Sequence, residues 1–153
     1  MKTIVLISCC KQKLHSKDSV PAEQLYQSTK FKKSLEYSRL LNPDAIYILS
    51  AKHYVVELSQ QLEWYDEKLQ NKSKEDRKKW VNNCLQTLKE KHDLKNDKFI
   101  ILAGFSYYFG LLGTDRIQNY ELPLDGLTHG PALHWLNEQI KELKNDEGVF
   151  IKK

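Results

Sequence analysis

Three short segments of the chain are apolar without alternation: Ile4-Val-Leu-Ile7, Ile46-Tyr-Ile-Leu49 and Phe99-Ile-Ile-Leu102. A strand with one solvated face alternates apolar and polar residues, whereas a strand covered on both faces does not. The pattern predicts strands over 3–8, 45–49 and 98–103, neighbours in one sheet with helices on both faces. Helical spacing separates them. Pro21 stands near the start of a helix expected over 22–41, with Leu25, Phe31, Leu35 and Ser38 broadly on one side and Asn42-Pro43-Asp44 as its stop. Ser73 is the expected N-cap of a helix running to about His92, with Asp76 at N3 and Trp80, Cys84 and Leu88 at successive fourth positions. A short helix is expected over 106–112. A last one, from Gly130, carries Leu133, Leu136, Ile140 and Leu143 as its apolar stripe.

Three stretches are less regular. Residues 54–72 mix Val55, Val56 and Leu58 with Gln60, Gln61, Glu63 and Asp66, and read as a long loop with short elements. Residues 117–122 read as a fourth, more polar strand ending in Pro123, and 149–151 as an edge strand or packed tail. Strands alternating with helices in this order predict an α/β fold: a single domain over 1–153, three-layered, with a mostly parallel central sheet and helices on both faces. Ligands on such sheets bind beyond the carboxyl ends of the strands. The positions to inspect are therefore Ser8-Cys9-Cys10-Lys11, Ser50-Ala51-Lys52-His53 and Gly104-Phe105-Ser106, and Ser8, Lys52, His53 and Gly104 are expected to converge at one sheet end.

The chain has 153 residues, 41% of them hydrophobic and 29% charged, with six glycines and four prolines, which excludes collagen-like and low-complexity classes. Its net charge of +4 is unevenly placed. Residues 1–53 carry nine basic and four acidic side chains, 54–66 carry three acidic and no basic ones, and 67–98 carry ten basic against six acidic. Local basic regions of this kind suit a phosphate-bearing partner, although a solvated lysine-rich surface has the same arithmetic. The opening apolar run spans four residues before Lys11 and Lys13, too short for a signal peptide, and no segment approaches a membrane span. A cytoplasmic protein is the expectation. Three cysteines, two of them adjacent, fit reduced thiols, and Cys9, Cys10, Cys84 and the five histidines lack zinc-ligand spacing, so neither metal nor other cofactor is expected.

Chemistry concentrates at the predicted strand ends. Cys9 and Cys10 read as small buried spacers, as anion or base contacts beside Ser8 and Lys11, or as a nucleophile whose pKa Lys11 or Lys13 lowers. At the second strand end, Lys52 suits a phosphate and His53 a nucleobase edge or proton exchange, against the plainer reading of a solvated lysine and a structural histidine. Trp64, Tyr65 and Asp66 offer aromatic faces and a carboxylate, or pin the loop onto the core. Tyr26 shares that ambiguity. Tyr107 and Tyr108 follow Gly104, where a ligand can approach backbone, but at least one of them is expected in the core. His129-Gly130-Pro131 offers helix N-terminal N–H groups as a weak phosphate signal. The P-loop, dinucleotide, zincin and nucleophile-elbow motifs are all missing from the sequence.

The ordered set Ser8-Cys-Cys-Lys-Gln-Lys13, Ala22-Glu-Gln-Leu-Tyr-Gln-Ser28 with Phe31, Tyr47-Ile-Leu-Ser-Ala-Lys-His53, Tyr65-Asp66, Trp80, Leu102-Ala-Gly-Phe-Ser-Tyr107 and Leu122-Pro-Leu-Asp-Gly-Leu127 resembles the DUF6884 family, small bacterial and phage proteins loosely called YaaA-like. The resemblance covers nearly the whole chain. It implies a more distant similarity to domains of tRNA deazaguanine base-exchange and modification enzymes, and an association with phage and DNA-modification functions. Carried over residue by residue, it marks Ser8, Cys9, Lys11, Tyr26, Ser50, Lys52, His53, Tyr65, Asp66, Gly104 and Tyr107. The family's Ser-Ala-Lys-His-Gly pattern reads Ser50-Ala-Lys-His-Tyr54 here, and Tyr54 lacks glycine's freedom at positive φ, so an altered turn or a partly filled pocket is expected.

The resulting expectation is an enzyme-like protein acting on a nucleobase or nucleotide, with N-glycosidic cleavage or base exchange on nucleic acid as its concrete form. His53 and Asp66 are the expected catalytic residues: Asp66 stabilises oxocarbenium-like charge and His53 assists the leaving base. Lys52 positions phosphate, Tyr65 stacks, and Ser8, Cys9, Lys11, Tyr26, Ser50, Gly104 and Tyr107 bind substrate. The competing expectation is a noncatalytic module that binds nucleic acid, or a phage or host protein, in phage–host conflict. A nucleoside-sized pocket favours the first and a shallow continuous basic face the second.

Overall fold

A computed structural model describes residues 1–15 and 17–152, with side chains described through residue 145. The elements in chain order are β1 (Thr3–Ser8), β2 (Val20–Pro21), α1 (Ala22–Leu25), α2 (Thr29–Leu40), β3 (Ala45–Ser50), β4 (Tyr54–Glu57), β5 (Gln61–Leu62), α3 (Lys74–Lys91), β6 (Lys98–Leu102), α4 (Phe105–Tyr108), β7 (Tyr120–Glu121) and α5 (His129–Lys152). Short 3-10 turns at Leu69–Asn71 and Phe109–Leu111 join them.

The three apolar runs are the three inner strands. The main sheet has the order β4-β3-β1-β6-β7, with β1 parallel to both β3 and β6, β6 parallel to β7, and only the edge strand β4 antiparallel. Ile4 to Ile7 in the central strand are essentially inaccessible, as residues between two covering layers must be. Helices α2 and α5 pack together on one face, with Tyr37 of α2 edge-on to Trp135 of α5. Helix α3 covers the other face, burying Trp80, Cys84 and Leu88. Ser73 caps it as expected, its hydroxyl accepting from the Asp76 N–H. The fold is therefore the three-layer α/β arrangement read from the sequence.

Three local expectations are corrected. The helix expected over 22–41 breaks at 26–28 because its backbone is used elsewhere: Leu25 C=O accepts from Leu14 N–H, Gln27 N–H donates to Gln12 C=O, and Tyr26 bridges Lys13. Ser28 then caps a new helix through the Phe31 N–H. The stretch read as a long loop with short elements is such a loop, and its first element, Tyr54–Glu57, turns back antiparallel along β3 as an edge strand. The strand expected over 117–122 shrinks to Tyr120–Glu121; Ile117 instead bridges Leu112. Residues 149–151 belong to α5, and their side chains lie outside the described residues.

Chain order moves outward from β1 to β3 on one side, then crosses to β6 on the other. That reversal opens a crevice beyond the carboxyl end of β1, next to β6, where loops diverge to opposite faces. In register, Ser8 lies opposite Leu49 and Ile7 opposite Leu102, so Ser8, Ser50 and Ala103 leave the sheet at one level. The short pair β2–β5 holds the long 51–72 connection over this end.

One packing contact can be tested directly. A Cβ added at Gly110 would lie 2.7 Å from Val81 Cγ2, so α3 meets the 109–111 turn without room for a methyl group. Gly110→Ala should lower the urea unfolding free energy by about 1–3 kcal/mol, and a second change, Val81→Ala, should remove most of that penalty. An unchanged midpoint in Gly110→Ala would contradict the contact.

Candidate functional site

The sheet end is organised by three buried hydroxyls. Ser50 closes β3 with its side chain fully enclosed, and its Oγ shares a 2.7 Å hydrogen bond with Tyr65 Oη, which shares one of 2.6 Å with Tyr26 Oη. Ser50 Oγ also accepts from the His53 N–H at 2.9 Å and the Lys52 N–H at 3.3 Å, and its carbonyl accepts from Trp80 Nε1 at 2.8 Å. The turn carrying Lys52 and His53 is thus held by the serine that begins it. Burial pushes the Tyr26 and Tyr65 phenols up, so both remain protonated and able to donate.

Tyr65 is 4% exposed and Tyr26 fully enclosed, so neither ring offers a face to a ligand. Expected stacking by Tyr65 is replaced by contacts within the protein. The His53 ring meets it edge-on at 5.2 Å and Lys13 Nζ sits 4.5 Å from its centroid, a cation–π contact. Lys13 is only 7% exposed, and among the described residues no carboxylate pairs with it. The sequence offered Lys13 as a charge near Cys9 and Cys10, but its burial against Tyr65 came only with the fold.

Two cavities open beside this network. The larger, about 490 Å³, lies at the crevice beyond β1 and is lined by Cys9, Cys10, Lys11 and Lys13 from the first strand end, Tyr107 from α4, and Asp66 to Lys68 with Gln70 and Asn71 from the long loop. Cys9 Sγ and Tyr107 Oη, both in its wall, share a 3.2 Å hydrogen bond, and burial together with the Cys9 sulfur pushes the Tyr107 phenol up. The second, about 310 Å³, is bordered by Lys52, His53 and Trp64. Trp64 is largely exposed, its ring 4.6 Å from that of His15. His53 and Asp66 therefore line different cavities. Ser8 borders a small recess of about 150 Å³ with Cys9, Cys10 and Ser28. Gly104 N-caps α4 by accepting from the Tyr107 and Tyr108 N–H groups, and open space surrounds the position its Cβ would take. Tyr108 is the core member of its pair, donating to Asp125 Oδ1 at 2.5 Å, a bond that pushes its phenol up to about 12. Among the described residues no group of three or more His, Cys, Asp and Glu side chains is placed to hold a metal, and no helix is long and apolar enough to cross a membrane.

The model of a family of unknown function, DUF6884, matches residues 4–138. The chain belongs to the DUF6884 family. No curated protein matches it, and no solved structure does. Within this DUF6884 chain, Tyr54 occupies the expected glycine position and nevertheless keeps the left-handed turn, at φ 66°. That conformation costs a non-glycine residue roughly 1–2 kcal/mol, offset here by the β3–β4 pairing of Tyr54 with Ser50. The side chain is exposed and lines neither cavity, so it fills neither.

Removing the middle hydroxyl should expose how far the network acts as a unit. Tyr65→Phe and Ser50→Ala should each destabilise the fold by about 1–3 kcal/mol, because a buried hydroxyl or N–H loses its partner; the double variant should cost clearly less than the sum. Full additivity in denaturant unfolding would contradict a shared network.

The imidazole of His53 is held below its ordinary value of 6.5, first by burial and then by Lys52; burial does the same to His92, whose Nε2 shares a 2.7 Å hydrogen bond with Tyr47 Oη. Because the unfolded chain takes up these protons first as pH falls, the stability present above about 6.5 is lost as pH drops through the native values. Melting temperature should decline between about pH 7 and 5.5, above the carboxylate range, and less steeply in a His53→Gln, His92→Gln variant. An identical slope would refute this assignment.

Proposed function

We propose that this DUF6884 protein breaks an N-glycosidic bond of a nucleotide unit seated in the 490 Å³ crevice cavity. The observation that carries the reading is a pair of neighbouring carboxylates, Asp66 and Glu67, the second already paired with Lys72, sharing that cavity with three cationic side chains, Lys11, Lys13 and Lys68, at a topological switch point. The volume lies in the range of small-ligand sites. Lys11 and Lys68 are exposed and suit phosphate oxygens, while Lys13, held over Tyr65, presents a fixed positive charge deeper in the site.

As the C1′–N bond breaks, its electron pair leaves with the base nitrogen and positive charge develops on the sugar. Asp66 faces that charge. In hydrolysis, water then adds to C1′; the proton it sheds balances the one the departing base acquires, with Asp66 orienting the water. Tyr107, kept protonated, donates a hydrogen bond to the base. Because His53 opens onto the other cavity, this reading gives the reaction to Asp66 and makes His53 a binding contact alongside Lys52. The burial of Tyr26, Tyr65 and Ser50 favours a second reading, pure recognition, since much of the motif set builds the site without touching its contents.

Purified protein incubated with single-stranded DNA, duplex DNA, tRNA and nucleotides, followed by mass spectrometry of released bases, separates the two. Asp66→Asn should reduce base release at least about tenfold with melting unchanged, Lys11→Ala should weaken substrate binding, and Lys144→Ala, on α5, should change neither. Undiminished release from Asp66→Asn would sink the catalytic assignment; binding without release across the panel would favour recognition.

A further inference from the structure

Outside the crevice, α4 and the following turn expose two aromatic rings. Phe105 is 63% and Phe109 65% exposed, their centroids 4.7 Å apart at an interplanar angle of 33°. Leaving two phenylalanines in water forgoes hydrophobic stabilisation, and a contiguous exposed apolar pair marks an interaction site more often than a scattered single residue does. Their surroundings are cationic. Lys74, Arg77 and Lys78 occupy positions i, i+3 and i+4 on α3, which places them on one side of the helix. With Arg116 from the loop after the 109–111 turn, they border a cavity of about 540 Å³ shared with the two rings. No carboxylate lines it, and among the described residues none of the four cations forms an ion pair. Arg116 is partly oriented already, since its Nη1 donates to Gly110 C=O at 2.5 Å.

We propose that this surface binds single-stranded nucleic acid, with bases stacking on Phe105 and Phe109 and phosphates meeting Lys74, Arg77, Lys78 and Arg116. The occupant follows from the pairing of features. Uncompensated positive charge selects a polyanion, and open aromatic faces between the cations select one that presents planar bases, which a duplex keeps stacked inside. The position gives the surface a use. Tyr107, on the crevice cavity, and Phe105 belong to the same four-residue helix, and α4 packs on the 69–71 turn whose Gln70 and Asn71 line that cavity. A strand across the rings therefore places a neighbouring nucleotide at the crevice. That the strand is the substrate of the enzyme rests on the N-glycosidic reading above; that it binds here does not.

The test is fluorescence anisotropy with a fluorescein-labelled oligothymidylate, a duplex of matched length, and poly-glutamate as competitor. The wild-type protein should bind the single strand more tightly than the duplex. Phe105→Ala with Phe109→Ala should weaken that binding about tenfold or more, whereas the Phe→Tyr pair should retain it. Arg77→Gln with Lys78→Gln should reduce the slope of log affinity against log salt by roughly 1. Both rings are exposed, so circular dichroism and melting should be unchanged in these variants. Binding of the oligonucleotide by the wild-type protein and its loss in the Phe→Ala pair are read without reference to base release, so loss of the catalytic reading and loss of this one have different signatures. Equal affinity for the duplex, displacement by poly-glutamate as effective as by unlabelled single strand, or full affinity in the Phe→Ala pair would overturn the proposal.

Discussion

The hydrogen-bonded row Ser50, Tyr65 and Tyr26 is the constraint on which the sheet end depends. Each hydroxyl is buried, and a buried hydroxyl without a partner costs about as much as a small protein can spare. The 51–72 connection must therefore bring Tyr65 to the one place where both neighbours are satisfied. Once Tyr65 is seated, its chain neighbour Asp66 opens onto the crevice, and Ser50 orients the turn that carries Lys52 and His53. The indole of Trp80 reaches the Ser50 carbonyl from α3, tying the helical layer to the same point. Residues that look reactive in the sequence thus divide into those that build the cavity and those that face into it.

Positive charge is handled in two ways on this molecule. Lys13 buries its stem and rests its ammonium against the Tyr65 ring, exchanging solvent for the negative face of a π-system. Around Phe105 and Phe109 the cations stand in solvent beside exposed rings instead. The first arrangement presents one fixed charge inside a cavity; the second spreads four along a surface, where salt screens them. A deep site for one unit and a salt-sensitive surface for an extended anion are compatible with a single partner that is longer than the crevice.

Apolar continuity and capping chemistry were sufficient for the architecture. Three unbroken apolar runs require a sheet covered on both faces, and Ser73 with Asp76, or Trp80 with Cys84 and Leu88, are local rules that no distant contact overrides. Because parallel strands end at the same side, an expectation that Ser8, Lys52, His53 and Gly104 gather at one sheet end also followed from the sequence, but Ser8 borders one recess and Lys52 with His53 another. Tertiary structure decided what local rules cannot: the break at Tyr26, where backbone groups pair with residues 12–14; the antiparallel edge at Tyr54, which is recruited by β3 despite a positive φ; and the separation of His53 from Asp66 into two cavities. Burial decided the roles of the tyrosines, because a phenol reads identically in sequence whether its hydroxyl is satisfied inside the protein or offered to a ligand. Lys13, Phe105 and Phe109 gained their meaning the same way: exposure and the absence of a paired carboxylate are properties of neighbours brought together by folding, and no periodicity along the chain records them.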